Sequence, residues 1–214
     1  MTPGSEPIDV NTATAAVQGT GGAAKQVTIR SSRDSDVDAM LAIYRYHIQR
    51  GVDPEAVRNA DPFLPEDLKR RRKNMRSRRL PHLVAEIDGL VVGYAYAVPF
   101  RKRPAYRYAL KHSIYVHHEF LHAGIGRVLL PALIDACAAA GYRQIIGYVD
   151  GANAASIRLH ESCGFSKVGF LPSIGYKFGH WTDTVLMQRS LGPGSSTLPD
   201  SLQPLTEAEQ SALK

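Results

Sequence analysis

From Val27 onward, apolar residues recur with a period that alternates between two and 3.6, which marks a succession of strands and helices. Val27–Arg30 reads as a short strand. Ser35 or Asp36 caps a helix in which Val37, Met40, Leu41, Tyr44 and Ile48 share one face. Pro65, followed by Glu66 and Asp67, opens a second helix with acidic side chains where the helix dipole favours them. His82–Ile87 and Leu90–Val98 read as strands joined by the hairpin turn Asp88-Gly89. Lys111–Val116 is a strand, Gly124–Ala140 a helix, Gln144–Val149 a strand and Asn153–Ser162 a helix, with two last strands inside Ser166–Tyr176 and Trp181–Arg189. The order predicts an α/β fold: a mixed sheet with helices on both faces. Pro131 falls past the first turn of the long helix, where it removes a hydrogen bond and predicts a bend.

Composition sets the boundaries of this fold. Residues 1–26 are rich in Thr, Gly, Ala and Ser without apolar periodicity and read as a disordered leader. Residues 27–190 hold no linker or repeat and read as one domain. Residues 191–214 read as a flexible tail, with Thr206 and Glu209 spaced as a capping box. Hydrophobic residues at 44% and charged residues at 21% match soluble globular averages and exclude a wholly disordered or fibrous chain. No apolar run is long enough to span a membrane, and the N-terminus lacks the basic and apolar regions of a secretory signal. Cys137 and Cys163 are too few for a disulfide framework or a four-cysteine zinc site, which points to the reducing cytoplasm.

Charge adds less than its total promises. Residues 69–79, KRRRKNMRSRR, hold eight basic side chains, more than the net +6 of the whole chain, so the remainder is slightly acidic. Arg72, Arg76 and Arg79 share a helical face. A solvated face is the first reading, followed by a dock for the 3′-phosphate of coenzyme A or for an acidic substrate. Nucleic acid is not expected as a partner, because no aromatic residues interleave with the charge.

Chemistry concentrates in two stretches. In SIYVHHEFLHAGIGRVLLPALI, Ser113–Ile134, an apolar strand leads through a loop into Gly124-Ile125-Gly126-Arg127 and an amphipathic helix. Unpaired N–H groups at a helix N-terminus bind phosphate, and glycine brings the backbone close to the anion. Arg127 adds a cation at the rim. In QIIGYVDGANAASIRLHESCGFSKVGF, Gln144–Phe170, a strand leads through small residues to Asn153, a helix carrying His160, and a Gly164-Phe165 stop.

This pairing of GIG with N-x-x-S-x-x-x-H-x-x-x-G-F resembles the GNAT superfamily of acyl-CoA-dependent N-acetyltransferases. AEIDGLVVGYAYA, SIYV, RLHESCGF and GYKFGHWTD are most similar to its phosphinothricin N-acetyltransferase-like branch. The resemblance implies a mostly antiparallel sheet splayed in the middle, with acetyl-CoA as co-substrate between the strands Lys111–Val116 and Gln144–Val149. Ile114, Tyr115 and Val116 would pair through their backbone with the pantetheine arm, and the Val116 N–H would stabilise the oxyanion. His122, Ala123, Gly124, Ile125, Gly126 and Arg127 would wrap the pyrophosphate, and Asn153 would bond a pantetheine carbonyl. His160 would lie near the sulfur and protonate the thiolate or relay a proton. The acceptor would be a small amine, amino-acid-like in the manner of phosphinothricin or methionine sulfoximine. It would attack directly in a ternary complex, and the protein would be a homodimer.

Two positions depart from that pattern. Leu121 stands where the phosphate loop begins with Gln or Arg. Lys111 stands where the branch places a glutamate, the base that takes a proton from the acceptor. A solvated lysine is protonated and cannot do this. Lys111 can pair with a substrate carboxylate, or lose its proton through burial, or the base lies elsewhere. It also opens the alternative of a non-catalytic acyl-CoA-binding module. Tyr176 and Trp181, around the last hairpin, are candidates to hold the acceptor, or simply pack the turn. Cys163 and Cys137 read as structural thiols. His117, His118 and His122 read as loop histidines and not as a metal site, since no carboxylate or cysteine spacing accompanies them.

Overall fold

The computed structural model of the chain describes residues 13–18, 24–49, 65–177 and 179–199. The described strands are β1 (Ala13–Gln18), β2 (Ala24–Ser31), β3 (His82–Ile87), β4 (Leu90–Pro99), β5 (Ala109–Val116), β6 (Gln144–Asp150), β7 (Ser166–Lys177) and β8 (His180–Ser190). They form one sheet in the order β1-β2-β3-β4-β5-β6-β8-β7. Every neighbouring pair is antiparallel except β5 and β6, which are parallel and joined through a helix. The helices are α1 (Val37–Gln49), α2 (Pro65–Ser77), α3 (Ile125–Ala139) and α4 (Ala154–Ser162).

Alternation along the strands divides the core in two. Leu83, Ala85 and Leu110 join Ile125, Leu129, Leu130 and Leu133 of α3 on one face. Val84, Val91 and Tyr94 join Val37, Met40, Leu41, Ile43 and Leu68 of α1 and α2 on the other. Of the face expected in α1, Val37, Met40 and Leu41 are buried and Tyr44 is half-buried, Ile43 joins them, and the Ile48 side chain lies outside the described ones. α3 runs unbroken through Pro131.

Two expectations change. Residues 13–18 are not part of a structureless leader: they pair with β2 from Ala13↔Ile29 to Gln18↔Ala24, and Val17 is buried. The stretch ATAAVQ contains one large apolar residue, so it carries no period of its own; the edge of β2 orders it. The basic segment is not simply a solvated face. Arg72 is only 11% exposed and donates to Ser32 Oγ at 2.7 Å, to the Ser32 carbonyl and to Asp34, tying α2 to the turn before α1. Lys69 and Arg70 pair with Glu66 and Asp67 one turn back. The short helix proposed after Thr206 lies outside the described residues.

Candidate active site

The parallel pair β5–β6 is short. It runs from Ala109↔Gln144 to His112↔Gly147 and stops. β5 then follows β4 as far as Gly93↔Val116, whereas β6 follows β8 as far as Asp150↔Thr184. A notch opens between Ser113–Val116 and Tyr148–Asp150, with the pair His112 and Gly147 at its apex.

The ladder shows which backbone groups face this notch. The His117 N–H donates to the Val92 carbonyl at 2.8 Å, so odd-numbered residues at this end of β5 point their N–H and C=O at β4. Ile114 and Val116 therefore point theirs at the notch, where an amide-rich ligand can extend the ladder. Tyr115 does not share that role. Its backbone belongs to the β4 pairing, and its ring crosses to the opposite face, stacking on Tyr94 at 5.0 Å and meeting Tyr44 edge-on at 5.8 Å.

At the mouth of the notch the chain turns sharply into α3. His122 and Gly124 both take left-handed backbone, with φ of 64° and 90°. Gly124 occupies the N-cap, so the first N–H groups of α3 point outward from the strand-loop-helix turn. Gly126 has a different task from Gly124. A Cβ there would lie 2.8 Å from Leu159 Cδ2, so its missing side chain serves the packing of α3 on α4. Asn153 caps α4: its Oδ1 accepts from the Ser156 N–H at 2.9 Å, which leaves the amide nitrogen as its donor towards a ligand.

His160 is 2% exposed and lies over the apex. Its Nδ1 is 2.7 Å from the Ser156 carbonyl, which can only accept, so Nδ1 carries the proton. Burial holds its pKa below the usual histidine value despite the Ser156 carbonyl. The neutral ring therefore presents Nε2 as a lone pair. Of the two roles implied by resemblance, the resting geometry fits a proton relay and not an acid already charged to protonate a thiolate.

The opposite face of the sheet carries Lys111, Ser113 and Tyr115 of β5 beside Tyr94 and Tyr96 of β4 and His82 of β3. His82 stacks on Tyr96 at 5.4 Å and on Tyr94 at 6.1 Å. This aromatic row, under α1 and α2, was not anticipated from the sequence; its signal was the period-two recurrence of Tyr94 and Tyr96 opposite Ser113 and Tyr115 in neighbouring strands. Lys111 is exposed on this face. A second unanticipated residue is His47 of α1, whose Nε2 donates to the notch-facing Val116 carbonyl at 2.7 Å. Tyr176 and Trp181 meet edge-on at 5.4 Å on the last hairpin, and both are exposed.

Residues 29–186 match the family described as Acetyltransferase (GNAT) domain. The chain belongs to the GNAT acetyltransferases. It is 43% identical over 176 residues to a phosphinothricin N-acetyltransferase of Alcaligenes faecalis, covering 81% of this chain and 87% of that one. It is 35% identical to an L-methionine sulfoximine/L-methionine sulfone acetyltransferase of Pseudomonas aeruginosa, covering 79% of this chain and 97% of that one. Among solved structures, a GNAT superfamily phosphinothricin acetyltransferase from Sinorhizobium meliloti in complex with AcCoA superposes with a TM-score of 0.76 at 37% identity, covering 84% of this chain and 97% of that chain. The alternative of a binding module without turnover thus gives way to an acetyl-CoA-dependent N-acetyltransferase of this family.

Other features stand apart from this GNAT notch. A concavity of about 850 Å³ lies between Pro131, Cys163 and Arg189, at the far end of α4. Burial raises the Cys163 thiol above its usual pKa, which disfavours the thiolate a nucleophile needs. His117 and His118 stack at 4.4 Å, and His118 stacks on Tyr46 at 4.2 Å. Among the described residues no three His, Cys, Asp or Glu side chains cluster as a metal site, and no helix is long and apolar enough to cross a membrane.

Proposed function

We propose that this enzyme acetylates the amino group of a small amino-acid-like molecule, phosphinothricin and methionine sulfoximine being the model acceptors. The observation that carries the reading is the notch: Ile114 and Val116 turn their backbone groups into it, and the α3 N-terminus stands at its mouth. Acetyl-CoA, the co-substrate, would lie with its pyrophosphate against His122–Arg127 and its pantetheine arm along Ile114 and Val116. Asn153 would donate to the arm from the other wall. The Val116 N–H would face the developing oxyanion.

The acceptor would approach from the tyrosine face. Lys111 is on that face, and the charge of Arg71 acts on Tyr44, Tyr94, Tyr115 and His82. Two cations beside an aromatic row match an acceptor that carries a carboxylate or phosphinate. The amine would attack the thioester directly, and proximity would supply much of the acceleration.

The partner would be a second copy of the chain. Val168, Phe170, Ile174, Tyr176 and Trp181 leave an apolar surface on the β7–β8 hairpin, with Trp181 64% exposed. Tyr176 and Trp181 would then serve that interface and the acceptor site beside it. The two free thiols fit the cytoplasm.

Thiol release from acetyl-CoA, measured across phosphinothricin, methionine sulfoximine, the standard amino acids and simple alkylamines, tests the reading. Turnover confined to amines bearing an acidic group is the expected result. Turnover with alkylamines alone overturns the acceptor class. Sedimentation of the free enzyme tests the dimer.

A further inference from the structure

His112 and His160 form a buried imidazole pair at the apex of the notch. His112 shares the face of Leu110 and Ile114 on β5, opposite Lys111. It is 7% exposed, and neither of its ring nitrogens has a hydrogen-bond partner. Its ring stacks on His160 at 5.2 Å and 28°, and Phe165 closes both rings at 5.4 and 5.1 Å. A Cβ on Gly147 would lie 2.9 Å from His112 Nε2 and 3.1 Å from His160 Nε2, so both nitrogens converge on the spot that glycine leaves open.

An unpartnered buried imidazole destabilises the resting fold, and a phenyl ring would fill the same space without that penalty. The nitrogen therefore has its use in a state other than the resting one. Burial pushes His112 down to about 3, so it stays neutral and can offer a lone pair. His160 also offers a lone pair, because its own proton is committed to Ser156. If His160 takes up a proton at Nε2, His112 Nε2, aimed at the same spot beside Gly147, is an acceptor for it when His112 carries its own proton on Nδ1. The residues that touch the rings, Gly147, Ser156 and Phe165, carry no charge. The one titratable group acting on His112 is His160.

We propose that His112 and His160 act as a shared-proton pair, His112 being the positioning residue that accepts a hydrogen bond from His160 once His160 Nε2 is protonated. The proposal rests on the acetyltransferase reading above and supplies what Lys111 cannot. The acceptor's ammonium, on the tyrosine face, loses one proton to His160 Nε2 across the open notch, through water and not directly, because the pair lies on the other face of the sheet. The free amine forms its bond to the thioester carbon, and the C–S bond breaks. The thiolate takes the proton held by the pair, and the second proton on the new amide nitrogen leaves to solvent.

His112→Phe separates this role from packing. Its expected signature is a thermal midpoint at or above wild type together with a kcat about tenfold lower and an unchanged KM for acetyl-CoA. In the ligand-free protein, NMR titration of His160 is expected to show its protonation midpoint about one pH unit lower in the variant, because the imidazolium has lost its acceptor. Wild-type kcat, or a His160 midpoint that stays or rises, overturns the pair. Should the phenyl variant not fold, Gly147→Ala, which drives a methyl between the two nitrogens, is expected to lower the same midpoint; an unchanged midpoint there also overturns it. An enzyme that acetylates no amine at all defeats the functional reading, and the titration still decides the pair.

Discussion

Gly126 of α3 and Leu159 of α4 are in such close register that a methyl on the glycine would come 2.8 Å from Leu159 Cδ2. The second glycine of the GIG turn is thus a helix-packing residue, whereas Gly124 is the one that needs left-handed backbone, at φ 90°. Gly126→Ala should cost about 1–3 kcal/mol of stability by overpacking. Because Leu159 is partly buried and precedes His160 on the same helix, kcat should fall with it. Leu159→Ala in the Gly126→Ala background should restore part of both losses, which chemical denaturation and steady-state kinetics on the four-member cycle would measure. Additive losses would show that the two sites are independent.

His47 ties α1 to the notch end of β5 through its 2.7 Å bond to the carbonyl of Val116, the residue proposed to face the thioester. Removing that bond with His47→Ala frees the Val116 peptide to turn. A single hydrogen bond contributes about 0.5–1.5 kcal/mol, so kcat/KM should drop roughly two- to tenfold. The drop should fall mainly on kcat if the bond orients the oxyanion donor, and His47→Gln, which keeps a donor, should recover part of it. A change in acceptor KM alone would assign His47 to acceptor binding instead.

Much of this architecture was legible in the order of periods: the strands from Val27 on, the apolar side of α3, and Val37, Met40 and Leu41 of α1 lie where the pattern places them, and Ile43 joins the core beside them. The helix start at Gly124 was legible too, because glycine there has a local job whatever surrounds it. Three features were not. β1 has one buried anchor, Val17, and exists through its neighbour. The segregation of Tyr115 from Ile114 and Val116 depends on which ladder each backbone joins, a property of register. The His112–His160 stack joins residues from β5 and α4 that only the fold brings together.

Stability should weaken in mild acid because of histidines buried neutral. Burial is the main cause that pushes His82 and His112 each down to about 3, with Arg72 and Arg71 adding repulsion at His82. Both are depressed below their unfolded value. Their contribution is therefore whole above about pH 6.5 and is lost as pH falls from there towards 3, where the unfolded chain binds protons that the folded one refuses. Each adds a slope of about 1.4 kcal/mol per pH unit within that window. His82→Phe, which keeps the stack on Tyr94 and Tyr96, should remove one such slope from the unfolding free energy between pH 6 and pH 4. Identical slopes for variant and wild type would mean that His82 is protonated in the fold.

Lys111 is the exposed cation of β5 on the tyrosine face, the side proposed to receive the acceptor. It is exposed on β5 between Val98 and Ile146, on the side away from His112. If it holds the acidic group of the acceptor, Lys111→Met should raise the KM for phosphinothricin several-fold through loss of one charge-assisted contact. Added salt should erase part of the difference, and the KM for acetyl-CoA should not move. Lys111→Glu should act in two opposed ways. A carboxylate there repels the acidic group and raises KM, yet it also supplies a base for the ammonium and raises kcat. The balance is readable because the two effects fall on different constants. With an alkylamine acceptor only the gain in kcat should remain, and His112→Phe should cost the Lys111→Glu variant less than it costs the parent, since the proton has a second route. If Lys111→Glu lowers kcat with every amine tried, position 111 does not face the reacting nitrogen, and the acceptor enters by another side.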